Sequence, residues 1–290
     1  MKLVTFSAAG RTQHGVFDEA EDTIVVLGDG DLSAVVAAGS APQPPIATAE
    51  RISRERVTLL APLLSPGKLI CAAANYQEHV TESGSEERDE RTATPRLFLK
   101  PNTSLCGQDA ELRTHPITSQ LDWEVELAVI IGKGGRDIPR ERALDHVFGY
   151  ATSNDISARN LELGARDGEA WTGFFDWLEG KWLDNSAPVG PFLVTADEVP
   201  DPHELPLRLS VNGVLHQSST TAGMIHRVDE LIAFSSRLMT LNPGDIILTG
   251  TPAGVGATTG TFLSPGDEMV AEVVGLGQLR THVVAGDHPA

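Results

Sequence analysis

Asp122-Trp123-Glu124-Val125-Glu126-Leu127-Ala128-Val129-Ile130-Ile131-Gly132 is the stretch on which the reading of this chain turns. Successive residues of a strand face opposite ways, so a strand here puts Glu124 and Glu126 on one side. From Leu127 to Ile131 both faces are apolar, the pattern of a strand covered on both sides. Two carboxylates entering such surroundings repel each other and lose their hydration. They need a cation or a shared proton. A hard divalent ion with oxygen ligands meets that need. A solvated strand end is the plainer alternative for the pair alone.

A third carboxylate, Asp155, follows the apolar run Val147–Thr152 in Ser153-Asn154-Asp155. Asn-Asp by itself is most often a turn. Joined to the Glu pair it makes a three-carboxylate, all-oxygen set that suits Mg²⁺ or Mn²⁺. No Cys or His cluster accompanies these acids, which argues against zinc.

Upstream, Asn75–Glu82 reads as a short helix on which His79 and Glu82, three apart, share a face. A carboxylate on one imidazole nitrogen fixes the tautomer and leaves the other nitrogen to take a proton. An ordinary exposed pair is the competing reading. Downstream, Thr249-Gly250-Thr251-Pro252-Ala253-Gly254-Val255-Gly256 follows an apolar strand. A Gly-rich turn of this kind lets backbone N–H groups converge on an anion, with the Thr251 hydroxyl beside them. It lacks the Lys-Ser/Thr ending of a nucleotide P-loop. Lys100, Arg159 and Lys181 are candidate cations for a bound carboxylate or a developing oxyanion.

Further out, residues 1–64 read as a small β-rich N-terminal domain and 65–290 as the catalytic domain. Short runs at Lys2–Phe6, Gly15–Phe17 and Thr23–Leu27 are separated by Gly/Asp turns. Gly39–Pro45 looks like a linker, and Ser65-Pro66-Gly67 is a turn at the boundary. Strands are expected at Lys68–Ala72, Arg96–Leu99, Trp123–Gly132, Val147–Thr152, Pro191–Thr195, Leu207–Val211 and Asp245–Thr249. Helices are expected at Pro139–Val147 and Arg227–Leu241. Ser83–Thr94, crowded with charge and without apolar periodicity, reads as a lid ordered by a bound ligand.

Composition sets outer bounds. The chain has 290 residues, 41% hydrophobic and 21% charged, enough for a substantial core. A formal net charge of −18 repels phosphate, which argues against nucleic acid and anionic membranes as partners. No apolar run approaches a membrane span, and the first residues lack the features of a secretory signal. Cys71 and Cys106 are too few for a disulfide framework, so the cytoplasm is the expected location.

Taken in order, these motifs resemble the fumarylacetoacetate hydrolase family across about residues 65 to 282. The resemblance runs through Asn75-Tyr76 with His79 and Glu82, Phe98-Leu99-Lys100-Pro101, Asp122 to Leu127, and Gly149-Tyr150. It continues with Asn154 to Arg159, Gly180-Lys181, Val189-Gly190-Pro191, Val211-Asn212-Gly213, Met239 to Asp245 and Thr249 to Gly256. It implies an α+β, mainly β fold: a mixed β-sandwich or roll, assembled as a homodimer. It implies Glu124, Glu126 and Asp155 as ligands of Mg²⁺ or Mn²⁺, and His79 with Glu82 as a water-activating dyad. Lys181 would be the catalytic cation; Thr251 and Gly250, with Lys100 and Arg159, would bind substrate.

The implied substrate is a small anionic 2-oxo acid. In the leading reading the enzyme hydrolyses a C–C bond of an acylpyruvate-like 2,4-dioxo acid. His79 activates the water and an enolate leaves. Decarboxylation of an oxaloacetate-like acid, isomerisation or hydration of an unsaturated dicarboxylate, and cleavage of a diketo sugar acid are alternatives on the same site. A non-catalytic metal- or carboxylate-binding protein is the alternative of another class. Two departures from the family pattern stand out. Ala73-Ala74 occupy a place where an Arg would contact substrate, and Leu161–Glu179 is long and aromatic, with Trp171, Phe174, Phe175 and Trp177.

Overall fold

The computed structural model describes residues 1–40, 42, 49–84, 93–163 and 172–286. Most of the expected lid (85–92), part of the aromatic stretch (164–171) and most of the expected linker (41 and 43–45), with 46–48 beyond it, lie outside the described residues. The fold is α+β and mainly β, a mixed sandwich of one large and one smaller sheet.

The large sheet runs through Arg51–Ser53, Thr23–Asp29, Arg11–Asp18, Lys2–Ala8, Ala187–Thr195, Val147–Asn154, Val125–Ile131, Ile246–Leu248, Leu69–Ala73 and Arg96–Lys100. Ile246–Leu248 pairs in parallel with Leu69–Ala73, whereas its other neighbour, Val125–Ile131, is antiparallel. The second sheet orders Val214–Thr220, Pro206–Val211, Glu268–Val273, Gly277–Val284 and Ala110–Arg113.

Val125–Ile131 is buried along its whole length, as its unbroken apolar run requires. Leu127, Val129 and Ile131 enter a core shared with Leu207, Leu209, Met269 and Ala271 of the second sheet. Ala128 and Ile130 enter a different core with Leu69, Cys71, Leu193 and Leu248. Glu126 has the parity of that second set. The same alternation that splits the two cores therefore aims its carboxylate at the face of the sheet that carries Leu69, Cys71 and Phe98.

The N-terminal strands extend this sheet, with Lys2 opposite Val194 and Leu3 opposite Leu193. They also carry a small core of their own, built from Val4, Phe6, Ile24, Val57 and Leu59. Of the two expected helices, Val228–Leu238 is α-helical, but 140–146 is a 3₁₀ helix. Sequence alone does not single out Val214–Thr220, Glu268–Val273 and Gly277–Val284, nor the helix Thr172–Glu179. Glu268–Val273 and Gly277–Val284 alternate buried with less buried positions and carry polar side chains, and Val214–Thr220 buries only Gln217, so none of the three has the unbroken apolar run that marks the central strand.

Candidate active site and divalent-metal centre

Backbone register brings the acids together. Val125–Ile131 pairs with Val147–Asn154 so that Val125 faces Asn154 and Glu126 faces Ser153. Past the end of this ladder the Asp155 N–H donates to the Glu124 carbonyl at 2.8 Å, and the Asn154 Oδ1 accepts the Glu124 N–H at 2.8 Å. Glu124, Glu126 and Asp155 are all buried, and one oxygen from each lies within 4.8 Å of the others.

Cations compensate two of the three acids. Lys181 Nζ lies 2.8 Å from Glu124 and 2.7 Å from Asp155. Arg159 reaches Glu124 at 2.6 Å and Asp122 at 2.8 Å. Lys100 Nζ lies 2.6 Å from Asp155. Burial alone would raise the Glu124 carboxyl, but Lys181 and Arg159 overcome it and bring the pKa down to about 2. Burial would likewise discharge Lys181, yet Asp155 and Glu124 hold its ammonium above the ordinary lysine range.

Glu126 differs. Among the described residues it has no ion-pair partner, and its Oε2 accepts only the Gly250 N–H, at 2.6 Å. Burial, with the charges of Asp155 and Glu124, pushes its carboxyl well above the ordinary range. Asp122, Glu124, Glu126 and Asp155 thus face Lys100, Arg159 and Lys181, four acids against three bases. A buried carboxylate without a counter-charge, beside two more acid oxygens, is the arrangement that a hard divalent ion resolves. The donor set fits such an ion.

The Gly-rich turn does converge on anions, but they are the protein's own. Gly250 N–H donates to Glu126 at 2.6 Å, Gly254 N–H to Glu82 at 2.9 Å, and Gly256 and Ala257 N–H to Asp122 at 2.6 and 2.9 Å. One loop thereby fixes Glu126 of the three-acid cluster, Glu82 beside His79, and Asp122, which anchors Arg159. Its shape depends on glycine. Gly250 and Gly254 have φ of +91° and +101°, and a Cβ on Gly254 would lie 2.2 Å from the His216 carbonyl oxygen.

On the helix Gln77–Glu82 the side chains of His79 and Glu82 pair, with His79 Nδ1 2.8 Å from Glu82 Oε1. Burial opposes ionisation of Glu82, but hydrogen bonds from His79 and the Gly254 N–H hold its carboxyl below the ordinary value. Both side chains line a cavity of about 990 Å³ whose wall also includes Glu124, Glu126, Asp155, Arg159, Lys181 and Thr251. The cavity is therefore one site, with the acids and the dyad in common.

Two of the expected substrate contacts have their polar hydrogens engaged within the protein. Lys100 donates to Asp155, to the Ile156 carbonyl at 3.1 Å and to the Ser186 carbonyl at 3.2 Å, so its three N–H bonds are committed inside the protein. Gly250 spends its N–H on Glu126. The Thr251 hydroxyl reaches the cavity but donates to the Val125 carbonyl at 2.9 Å and accepts from Gln217 Nε2 at 2.8 Å. It can offer a ligand only a lone pair.

Sequence reasoning did not assign Asp122 or Gln217. Asp122 shares the alternation of Glu124 and Glu126, and that parity was the available signal. Gln217 is fully buried and ties the Val125 N–H (2.9 Å) to Thr251 and the Pro252 carbonyl (2.9 Å), but its strand is far away in sequence.

Comparison with known proteins places the chain among its relatives by sequence and fold. The family model described as "Fumarylacetoacetate (FAA) hydrolase C-terminal" matches residues 68–284, and one described as "Rv2993c-like, N-terminal" matches 1–62. The chain is 41% identical over 235 residues to the mitochondrial oxaloacetate tautomerase fahd2 of Xenopus laevis, spanning 80% of this chain and 70% of that one. It is 40% identical to oxaloacetate tautomerase FAHD2A, mitochondrial, of Homo sapiens, over 80% and 71% of the two chains. Fumarylacetoacetate hydrolase from Exiguobacterium antarcticum superposes with a TM-score of 0.85 at 35% identity, over 99% of this chain and 100% of that one. Maleylpyruvate hydrolase from Sphingobium sp. SYK-6, solved with manganese(II) and pyruvate, gives 0.74 at 29% identity over the same shares. No helix among the described residues is long and apolar enough to cross a membrane. By sequence and by fold, the chain belongs to the fumarylacetoacetate hydrolase family.

Proposed function

We propose that this chain is a divalent-metal-dependent enzyme that moves a proton at the carbon beside the 2-oxo group of a small 2-oxo acid, interconverting keto and enol forms. The observation that carries this reading is the His79–Glu82 pair facing the same cavity as Glu124, Glu126 and Asp155. Those three acids would hold Mg²⁺ or Mn²⁺. When bound, the ion supplies Lewis-acid withdrawal of charge from the carboxylate and 2-oxo oxygens of the substrate.

The chain's own groups do the rest. Ionised Glu82 accepts the Nδ1–H of His79, which leaves Nε2 as the base that takes the proton from C3. The C–H electron pair moves into the C2–C3 bond and the carbonyl pair onto oxygen. Return of the proton to that oxygen gives the enol. Lys181, buried and held protonated, balances negative charge beside the reacting oxygens. Arg159 holds Glu124 in place.

A second reading, hydrolytic C–C cleavage of a 2,4-dioxo acid, uses the same base on a water molecule. The size of the cavity favours it, because about 990 Å³ exceeds what a four-carbon acid fills. This reading takes the chain as a homodimer in a reducing compartment such as the cytoplasm; two unpaired cysteines support the compartment. Light scattering measures the assembly.

The deciding experiment follows loss of enol absorbance for oxaloacetate and acylpyruvates with and without Mg²⁺ or Mn²⁺, with pyruvate assayed as product. His79→Ala should abolish turnover and leave ion affinity within about threefold. Turnover that survives His79→Ala, or that needs no ion, contradicts the proposal.

A further inference from the structure

The cavity has two unlike ends. One is the floor of acids and bases. The other is an apolar wall made by Phe98 and Leu99 of the strand Arg96–Lys100, Phe174 and Trp177 of the helix Thr172–Glu179, and Trp182. The two ends abut, since Lys181 Nζ lies 5.4 Å from the centroid of the Phe98 ring.

The wall is ordered by its own contacts. Trp177 meets Phe98 edge-on, with centroids 5.1 Å apart at 71°, and lies 6.0 Å from Phe174. Trp182 Nε1 donates to the Leu99 carbonyl at 3.2 Å, which fixes that indole and spends its one polar group. Yet Trp177, Trp182, Leu99 and Phe174 remain 37%, 44%, 48% and 50% exposed. So much large apolar surface, held rigid on one wall and continuous with a charged floor, fits an occupant that is anionic at one end and apolar at the other.

We propose that the substrate is a 2-oxo acid whose distal arm is aryl, with Phe98, Trp177 and Trp182 as the residues that select it. The inference rests on the functional reading above for the direction of the substrate, carboxylate and 2-oxo oxygens toward the acids. An aromatic arm would stack against the Trp177–Phe98 pair and cover the exposed indoles. A second carboxylate at that end would find indole and phenyl faces instead of a counter-ion. Beyond Arg159 and Lys181 of the floor, the cation on the cavity lining is Arg96, two residues before Phe98 on the same strand, and a dicarboxylate would have to use it.

The test is binding to the full-length, Mg²⁺-loaded protein of three probes: 2-oxo-4-phenylbutanoate, 2-oxobutanoate and oxaloacetate. Calorimetry and quenching of tryptophan fluorescence read the affinities. Burial of a phenyl ring predicts that the phenyl acid binds at least about tenfold more tightly than 2-oxobutanoate. Trp177→Ala should cut that preference to less than about threefold, and Trp177→Phe should restore most of it. Phe98→Leu gives an independent wall variant.

Equal or tighter binding of 2-oxobutanoate overturns the proposal, as does a preference that survives Trp177→Ala. Tighter binding of oxaloacetate that is lost in Arg96→Ala overturns it in favour of a dicarboxylate. Enol turnover measured on the same preparation separates the two claims. Its absence counts against the proposed reaction, while the binding preference decides the aryl arm by itself.

Discussion

Arg159 joins Asp122 to Glu124: its guanidinium lies 2.8 Å from the first carboxylate and 2.6 Å from the second. Asp122 also accepts the N–H groups of Trp123, Gly256 and Ala257. The acid that sequence alone passes over is therefore the point where the metal set, the cation beside it and the Gly-rich turn are tied together.

Asp122→Asn tests this tie. The amide keeps the shape but replaces one acceptor with a donor, which then faces an N–H group or the guanidinium. Breaking one partner of a buried, hydrogen-bonded ion pair costs about 3 kcal/mol or more. Denaturant unfolding should show a loss of that size, and calorimetry with Mn²⁺ should show ion affinity weakened about tenfold. Unchanged ion affinity would mean that Asp122 braces the fold without positioning Glu124.

Glu126→Gln separates the ion's need from the fold's. The Gln carbonyl can still accept the Gly250 N–H, and the substitution removes the repulsion from Asp155 and Glu124 that pushes this carboxyl upward. Ion affinity should fall at least about 100-fold, since divalent sites are tuned by the number of charged ligands. The ion-free protein should keep its stability within about 1 kcal/mol or gain some, because the amide cannot ionise against Asp155 and Glu124. Calorimetry and thermal melting in chelator measure the two effects. A large loss of ion-free stability would show that Glu126 acts as a structural anion.

The strand Val125–Ile131 was legible from its unbroken apolar run, and the acids from their period-two spacing, although Glu124 lies just before that strand and Asp122 in a separate short one. Asp155 was legible only in combination, since Asn-Asp is ordinarily a turn and its role depends on the Val125–Asn154 register. His79 and Glu82 were readable because helix spacing is local. The true use of the Gly-rich turn was not. Conformation alone says that its N–H groups seek anions, and only the fold shows that Glu82, Asp122 and Glu126 already supply them. Lys100 shows the same limit. Standing between Leu99 and Pro101 it is oddly placed for a solvated charge, but nothing local reveals that Asp155 and two carbonyls use up its protons.

Glu82 gives a pH dependence with a definite sign. Its folded carboxyl lies below the ordinary value, so in the unfolded chain, near pKa 4.3, it binds protons more readily. The stabilisation it gives is fully present above about pH 4.3 and is lost as pH falls through the depressed folded pKa. Thermal midpoints of wild type and Glu82→Gln should differ by a constant amount from about pH 5 to 8 and converge below about pH 4. A difference that persists unchanged to about pH 3 would place the stabilisation elsewhere.

Gly254 couples the turn to the dyad, and Gly254→Ala should uncouple them. The residue sits at φ +101°, where an L side chain is strained, and the new Cβ would meet the His216 carbonyl at 2.2 Å. Relief requires the backbone to move, which withdraws the N–H now 2.9 Å from Glu82 Oε2. Glu82 then loses a donor that keeps it ionised, and His79 loses the fixed carboxylate that sets its tautomer. The acids are reached by other parts of the same loop, through Gly250 and Gly256, so the ion site should be affected less. Turnover should fall about tenfold to 100-fold, while Mn²⁺ affinity falls by less than about fivefold. If both fall together, the turn acts as a single rigid body and Gly254 has no separate hold on the dyad. A turnover loss without an affinity loss places the coupling at the hydrogen bond between Gly254 and Glu82.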